Sequence, residues 1–83
     1  MKTSMYDNRQ NVAELQTALR HMHAMGTTIP LINPDGFFGP ETAAAVAAAQ
    51  RFFSIPDTGV ADFETWTLIF CDYLDFLSRN IFI

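Results

Sequence analysis

The sequence predicts an all-α fold, a compact three-helix bundle in which two structured turns form an internal pseudo-repeat. The clearest indication is a shift of 23 positions that aligns one turn and the helix after it with a second such unit. Apolar residues also recur at helical spacing in three segments. The aligned residues are Ile32, Gly36, Glu41, Thr42 and Val46 in the first unit, and Ile55, Gly59, Glu64, Thr65 and Ile69 in the second.

The first helix is predicted from Asn11 to Met25. Asn11 is a favourable N-cap residue, and Glu14 follows three residues later, which is the spacing of a capping box. Apolar side chains then recur three and four residues apart. Gly26 suits the left-handed position that ends a helix. The segment from Thr27 to Gly39 contains two prolines and two glycines, which predicts a long loop anchored by its own apolar residues.

The second helix is predicted to begin at Pro40, because proline is favoured at the first helical position and Glu41 lies at the positive end of the helix dipole. Its centre, Ala43 to Ala49, is almost all alanine, which favours a helix and lets neighbouring helices approach closely. Phe52 and Phe53 are expected to close the far end.

The third helix is predicted to start after Asp62 as its N-cap and to carry a wide apolar stripe. The stripe consists of Trp66, Ile69, Phe70, Tyr73, Leu74 and Leu77. Cys71 is expected in the core. The predicted organisation is an N-terminal extension over residues 1–10, a domain over 11–77 and an apolar tail over 78–83. The tail could lengthen the third helix, fold back over the core or pack against another copy.

Composition excludes several functions. A net charge of −4 with five cationic residues leaves no basic patch for nucleic acid. One cysteine allows neither an intrachain disulfide nor a cysteine-based zinc site. No apolar run is long enough for a membrane span, and Met1 to Gln10 lacks the apolar region of a secretory signal.

No catalytic or metal site is predicted. His21 and His23 are two residues apart, so on a helix they point away from each other and cannot share a metal. The serines and Cys71 lack the motifs of activated nucleophiles. The carboxylates near the turns are explained by capping and turn formation. We therefore expect no enzyme activity and no cofactor.

Aromatic residues are the candidate binding groups. Flat apolar rings can pack on the C–H faces of sugars, and amides can supply hydrogen bonds. Phe37 is expected to be exposed because it lies in an extended turn, whereas Trp66 is expected to be mainly core. The candidate ligand-binding residues are Phe37, Gln50, Phe63, Trp66 and Tyr73.

Three motifs follow one another along the chain. They are Val12-x-x-Leu15-Gln16-x-x-Leu19, then Asp35-Gly36-x-Phe38-Gly39-Pro40-x-Thr42-x-x-Ala45-Val46-x-x-x-Gln50, then Thr58-Gly59-Val60-x-Asp62-x-x-Thr65-Trp66-x-x-Ile69. Together they resemble a known family, the peptidoglycan-binding module of bacterial cell-wall hydrolases. The resemblance covers roughly Asn11 to Phe70. One departure is Ala49, where the family usually has an aromatic residue.

The resemblance implies a non-catalytic three-helix domain that tethers an attached or partner enzyme to the cell wall. Its implied partner is peptidoglycan, bound through the glycan strand or the stem peptide, and its implied location is the cell wall or the extracellular space. The alternative is a protein-interaction or assembly module on the same fold without glycan binding. Self-association through the C-terminal tail is left open.

Overall fold

Three α-helices form the described part of the protein. The computed structural model describes residues 9–81, with side chains over residues 9–78. Helix α1 spans Arg9–Ala24, α2 spans Pro40–Phe52 and α3 spans Phe63–Ile81. The described residues include no β-strand, so the all-α three-helix prediction is confirmed.

Helix α1 begins earlier than the sequence predicted. Arg9 and Asn11 are both helical, so Asn11 is an interior residue and the predicted capping box is wrong. The structured turn before α2 packs against these two additional helical residues, since the Arg9 guanidinium lies 4.5 Å from the centre of the Phe37 ring. The earlier start therefore comes with a tertiary contact that the local capping pattern does not contain. Gly26 follows the helix with a positive φ of 90°, as predicted.

Helix α2 is the short central element. It begins at Pro40 as predicted, with Glu41 in its first turn. Its buried residues are mostly small, which allows α1 and α3 to approach it closely. The helix ends where Ser54 takes a left-handed conformation, with φ of 62°, and where the Ile55 N–H donates to the Gln50 carbonyl. This tight end directs the chain into the second turn.

One apolar core joins the three helices. Leu15, Val46 and Ile69 belong to it, from α1, α2 and α3 respectively, and none of the three side chains is exposed to solvent. Ile29 and Ile32 anchor the long loop to this core, as expected, although Leu31 is 57% exposed. The loop is therefore fixed at two points, which leaves the intervening side chain free to face solvent.

Helix α3 differs from its sequence prediction in the direction of several side chains. Asp62 is its N-cap as predicted, since its Oδ1 accepts the Thr65 N–H at 2.9 Å. Of the predicted stripe, only Ile69 is fully buried, and Leu74 is 59% exposed. Cys71 is exposed, so the core prediction is wrong. It follows Ile69 by two residues, which turns it about 200° around the helix away from the core.

The helix also extends into the segment predicted as a tail. The described backbone is helical through Ile81, which matches the alternative of a lengthened third helix. Phe82 and Ile83 lie outside the described residues. No helix of the described part is long and apolar enough to cross a membrane.

Candidate functional site

A buried glutamine holds the first structured turn, which contains Gly36 and precedes α2. Gln16, on α1, is 1% exposed, and its Oε1 accepts the Gly36 N–H at 2.9 Å. Its Nε2 lies 2.9 Å from the Phe37 carbonyl oxygen, 2.8 Å from the Thr42 hydroxyl and 3.1 Å from the Asp35 carboxylate. Two amide hydrogens are thus shared among three acceptors. One side chain thereby joins α1, the structured turn and the N-terminal end of α2.

The second turn is held by the same arrangement one unit later. Gln50, on α2, is also 1% exposed, and its Oε1 accepts the Gly59 N–H at 2.9 Å. Its Nε2 donates to the Val60 carbonyl at 3.0 Å and to the Thr65 hydroxyl at 2.9 Å, with the Thr58 hydroxyl at 3.4 Å. The pseudo-repeat therefore extends to side-chain hydrogen bonding.

Backbone conformation favours glycine in both turns, and close packing adds a second reason in the first turn. Gly36 and Gly59 have φ of 83° and 77°, in the left-handed region that side chains with a Cβ disfavour. A Cβ on Gly36 would lie 3.2 Å from the Arg9 carbonyl oxygen, and one on Gly59 would lie 3.4 Å from the Ala43 carbonyl oxygen. The turns therefore pack directly on the backbone of the preceding helix.

The first turn borders a cleft of about 270 Å³. Gln16 precedes Gly36 by twenty residues, whereas Gln50 precedes Gly59 by nine, so the first spacer is eleven residues longer. Part of that longer spacer forms a wall of the cleft. The lining residues are Gln16, Leu31, Ile32, Asn33, Asp35, Phe37, Glu41 and Thr42.

Hydrogen bonds fix the polar groups around Phe37. Its N–H donates to Asp35 Oδ1 at 2.9 Å, while its carbonyl accepts from Gln16. The bond from the Phe37 N–H, followed by that from Gln16, lowers the pKa of Asp35. Arg20 donates to Asn33 Oδ1 at 3.3 Å across the same loop. Hydrogen bonds thus hold the backbone in place on both sides of the exposed aromatic residue that lines the cleft.

The second turn presents a different surface. Val60 takes the place of Phe37 and is 50% exposed. Arg51 and Asp57 form a solvent-exposed ion pair at 3.0 Å, and the hydrogen bond from Arg51 is the main cause of the lowered pKa of Asp57. The pKa of Asp62 is lowered chiefly by the Thr65 N–H that it caps. These acidic groups serve the turn and the helix start.

The five predicted site residues fall in different places. Phe37 is 62% exposed and lines the cleft, and Phe63 is 74% exposed at the start of α3. Trp66 is partly buried against the core and stacks on Phe70. Tyr73 packs near His21, with ring centres 5.3 Å apart. Gln50 is buried with both polar atoms bonded to the turn, and only Phe37 of the five lines the cleft.

Sequence reasoning missed the part played by Gln16. The signal was present, because Gln16 lies one residue after Leu15 and three before Leu19, on the face of α1 that apolar spacing predicts to be buried. Gln50 likewise lies on the buried face of α2, four residues after Val46 and one after Ala49. A polar residue on each buried face, each followed by a turn glycine, indicates a side chain that hydrogen-bonds that turn.

The two histidines have separate surroundings. His23 Nδ1 lies 2.8 Å from the Ile29 carbonyl oxygen, which ties the long loop to α1. His21 packs against Tyr73 and Phe76, and its Nε2 is buried without a hydrogen-bond partner among the described residues. Within the described residues, no three His, Cys, Asp or Glu side chains are placed to hold a metal ion together.

Comparison with known proteins identifies the family. A family model for the peptidoglycan binding domain matches residues 8–69, which include both glutamines, both turns and the core of all three helices. No curated protein and no solved structure matches the chain significantly. The match ends at Ile69, so the last part of α3 lies beyond it. Within its matched region, the chain belongs to the peptidoglycan binding domain family.

Proposed function

We propose that this domain binds peptidoglycan through the first-turn cleft and tethers an attached or partner enzyme to the cell wall. The observation that carries the proposal is the presentation of Phe37. Its ring is exposed while its N–H and carbonyl are both hydrogen-bonded into the turn. Because the backbone is held in place before binding, little conformational entropy is lost when a ligand packs on the ring.

The chemistry of the cleft suits an amphipathic saccharide or peptide. One face of the Phe37 ring lies near the Arg9 guanidinium, which orients the ring and adds a cationic donor. Leu31 supplies exposed apolar surface, and Asn33 and Glu41 supply polar groups along the same cleft. Sugar rings and peptide stems both combine C–H surface with hydroxyl or amide groups, so either part of peptidoglycan matches this lining.

A binding role without catalysis is the simpler account of the acidic groups. A glycosidase needs one carboxyl that keeps its proton near neutral pH. Hydrogen bonds lower the pKa of Asp35, Asp57 and Asp62, which favours the ionised form of each. Each of these carboxylates also accepts a bond that shapes a turn or a helix start. We therefore propose that the domain positions other activities and hydrolyses nothing itself.

Binding to the wall is expected to be weak and nearly independent of salt. The chain has a net charge of −4, so it gains little from attraction to an anionic wall. Short-range packing and hydrogen bonds are barely screened by added salt. A single shallow cleft corresponds to a Kd of about 0.1 to 1 mM, which is adequate for a domain that acts beside other wall-binding contacts.

Sedimentation with purified sacculi tests the proposal through a matched pair of variants. Phe37→Ala removes the exposed ring from the cleft, whereas Val60→Ala makes a smaller exposed truncation at the corresponding place in the second turn. We expect Phe37→Ala to reduce the bound fraction at least fivefold and Val60→Ala to leave it unchanged. Far-ultraviolet circular dichroism should show that both variants stay helical.

The result can contradict the proposal in two ways. If the folded wild-type chain stays in the supernatant at low and high salt, the domain does not bind peptidoglycan. If the wild type sediments and both alanine variants bind equally well, another surface binds it. Added salt that abolishes sedimentation would contradict the proposed short-range mode.

A further inference from the structure

Helix α3 carries a row of apolar side chains that the core covers only in part. The residues, called the α3 stripe below, are Phe63, Trp66, Phe70, Tyr73, Leu74 and Leu77. Apart from the adjacent pair Tyr73 and Leu74, successive members are three or four residues apart, which places the row along one side of the helix. Phe63 is 74% exposed, Leu74 59% and Leu77 37%, and the other three are partly buried. The stripe runs along most of the helix.

The fully buried side of α3 points in a different direction. Among the described side chains of this helix, Thr65 and Ile69 are the buried ones, and they are turned about 100° around its axis from the stripe. The Trp66 and Phe70 rings stack with their centres 5.7 Å apart, which makes the middle of the stripe continuous. A groove of about 390 Å³ between α3 and α1 borders it, with Phe70, Tyr73 and Leu74 along α3. This surface therefore combines projecting apolar side chains with a groove beside them.

The distribution of charge favours a second copy of the chain as the occupant. The α3 stripe contains no charged residue, while Glu64, Asp72 and Asp75 occupy other sides of the helix. Two copies can therefore meet along this side without bringing those three carboxylates together, with Glu14 of each copy at the edge of the contact. A basic helix would find Glu14 at the groove but no row of acidic partners along the stripe.

The size of the stripe is also adequate for a weak dimer. A large aromatic side chain has about 200 Å² of surface, so Phe63 alone presents roughly 150 Å². The whole stripe presents roughly 450 Å² per copy, within the range of the functional patches found on monomeric proteins. Two copies would bury at most about 900 Å² in total, which is below the area of a stable interface and within the range of weak, transient ones.

We propose that two copies of this chain associate through the α3 stripe. The stripe extends past Ile69, where the match to the family model ends, so the dimer surface includes residues outside the matched region. Two cleft-bearing domains in one particle would bind a repetitive polymer with greater avidity than one. The proposed association stands independently of ligand binding, because the stripe and the first-turn cleft share no residue.

Sedimentation equilibrium at increasing concentrations tests the proposal. Reducing buffer is needed, because the exposed Cys71 could otherwise form a covalent dimer. Leu74→Glu places a carboxylate in the middle of the stripe, and Met25→Glu is the matched control, since Met25 is 55% exposed and lies at the end of α1. We expect a wild-type dimer with a Kd on the order of 100 μM.

The variants are expected to separate clearly. Leu74→Glu should raise the dimer Kd at least tenfold, and Met25→Glu should change it less than twofold. A second variant, Leu77→Glu, should also raise it, which guards against a local effect at one position. A monomer mass at all concentrations up to about 1 mM, or a dimer that both stripe variants leave intact, would overturn the proposal.

Discussion

The two turns have the same hydrogen-bonded scaffold but present different surfaces. In each, a buried glutamine accepts the glycine N–H and donates to a carbonyl and to a threonine hydroxyl. The first turn has a longer spacer, a cleft and an exposed Phe37, whereas Val60 occupies the equivalent place in the second. The comparison shows that the glutamine arrangement specifies the turn, while the spacer and the variable positions specify what the turn presents.

Of the equivalent positions at which the two turns differ, the one nearest the glutamines holds Asp35 in the first turn and Thr58 in the second. Both accept an N–H from two residues ahead, at 2.9 Å for Asp35 and 3.1 Å for Thr58. Both also lie near the glutamine Nε2. An ionised carboxylate can only accept hydrogen bonds, whereas a hydroxyl can also rotate to donate one. The two turns should therefore respond differently when the glutamine loses its amide hydrogens.

The largest expected effect is that of Gln16→Glu, which replaces the amide by a carboxylate next to Asp35. Two donors are lost and two negative charges are brought together, so we expect a loss of about 3 kcal/mol or more in the free energy of unfolding at pH 7. Gln50→Glu should cost about 2 kcal/mol, because Thr58 can donate to the new carboxylate. Urea unfolding followed by circular dichroism measures both.

A second substitution checks the cause of that difference. Adding Asp35→Asn to Gln16→Glu removes the facing charge and supplies amide hydrogens, so the double variant should be more stable than Gln16→Glu alone. Equal destabilisation by Gln16→Glu and Gln50→Glu, with no recovery from Asp35→Asn, would show that the Asp35 charge is unimportant.

The glycines give a graded series of intermediate effects. Gly36→Ala combines a left-handed φ with a close approach to the Arg9 carbonyl, so we expect a cost of about 2 to 3 kcal/mol. Gly59→Ala has slightly more room at the Ala43 carbonyl and should cost about 2 kcal/mol. Gly26→Ala is the control, since its Cβ would meet no atom within 4 Å, and should cost about 1 kcal/mol.

Thermal unfolding of the three glycine variants ranks these costs. If Gly26→Ala lowers the stability as much as Gly36→Ala does, the left-handed backbone conformation alone determines the loss of stability. Contact with the preceding helix would then contribute nothing at the turns.

The smallest expected effects are at the two helix starts. Asp62 caps α3 through the Thr65 N–H, so Asp62→Ala should cost about 1 kcal/mol. Gly39 precedes α2 without a side-chain cap and has an extended backbone, with φ of −104°. Gly39→Ser can supply the missing cap and should gain a few tenths of a kcal/mol. Urea unfolding measures both, and a destabilising Gly39→Ser would contradict this account.

Local sequence signals predicted much of the fold but not the direction of every side chain. Pro40, Asp62 and the positive φ of Gly26 follow from short-range rules, and these predictions were confirmed. The start of α1 was wrong, because it depends on contacts with a turn that is distant in sequence. Cys71 was wrong because its place was inferred from residue type instead of from its angle around α3 relative to Ile69.

The candidate site was less accessible to sequence reasoning. The exposure of Phe37 followed from its position in an extended turn and was confirmed. The cleft beside it depends on how the long loop folds against α1, since Leu31 and Asn33 reach the cleft only through the anchoring of Ile29 and Ile32. Ligand binding by Gln50, Phe63, Trp66 and Tyr73 stays a prediction, and the structure places them outside this cleft.

The unequal spacers also bear on the order in which the chain folds. Bringing Gln50 to Gly59 closes a loop of nine residues, whereas bringing Gln16 to Gly36 closes one of twenty. The loss of chain entropy grows with the logarithm of loop length, so the shorter closure is favoured by about 0.7 kcal/mol. We therefore expect the second turn to close first and to provide a formed α2 on which the longer loop, and with it the cleft, is completed.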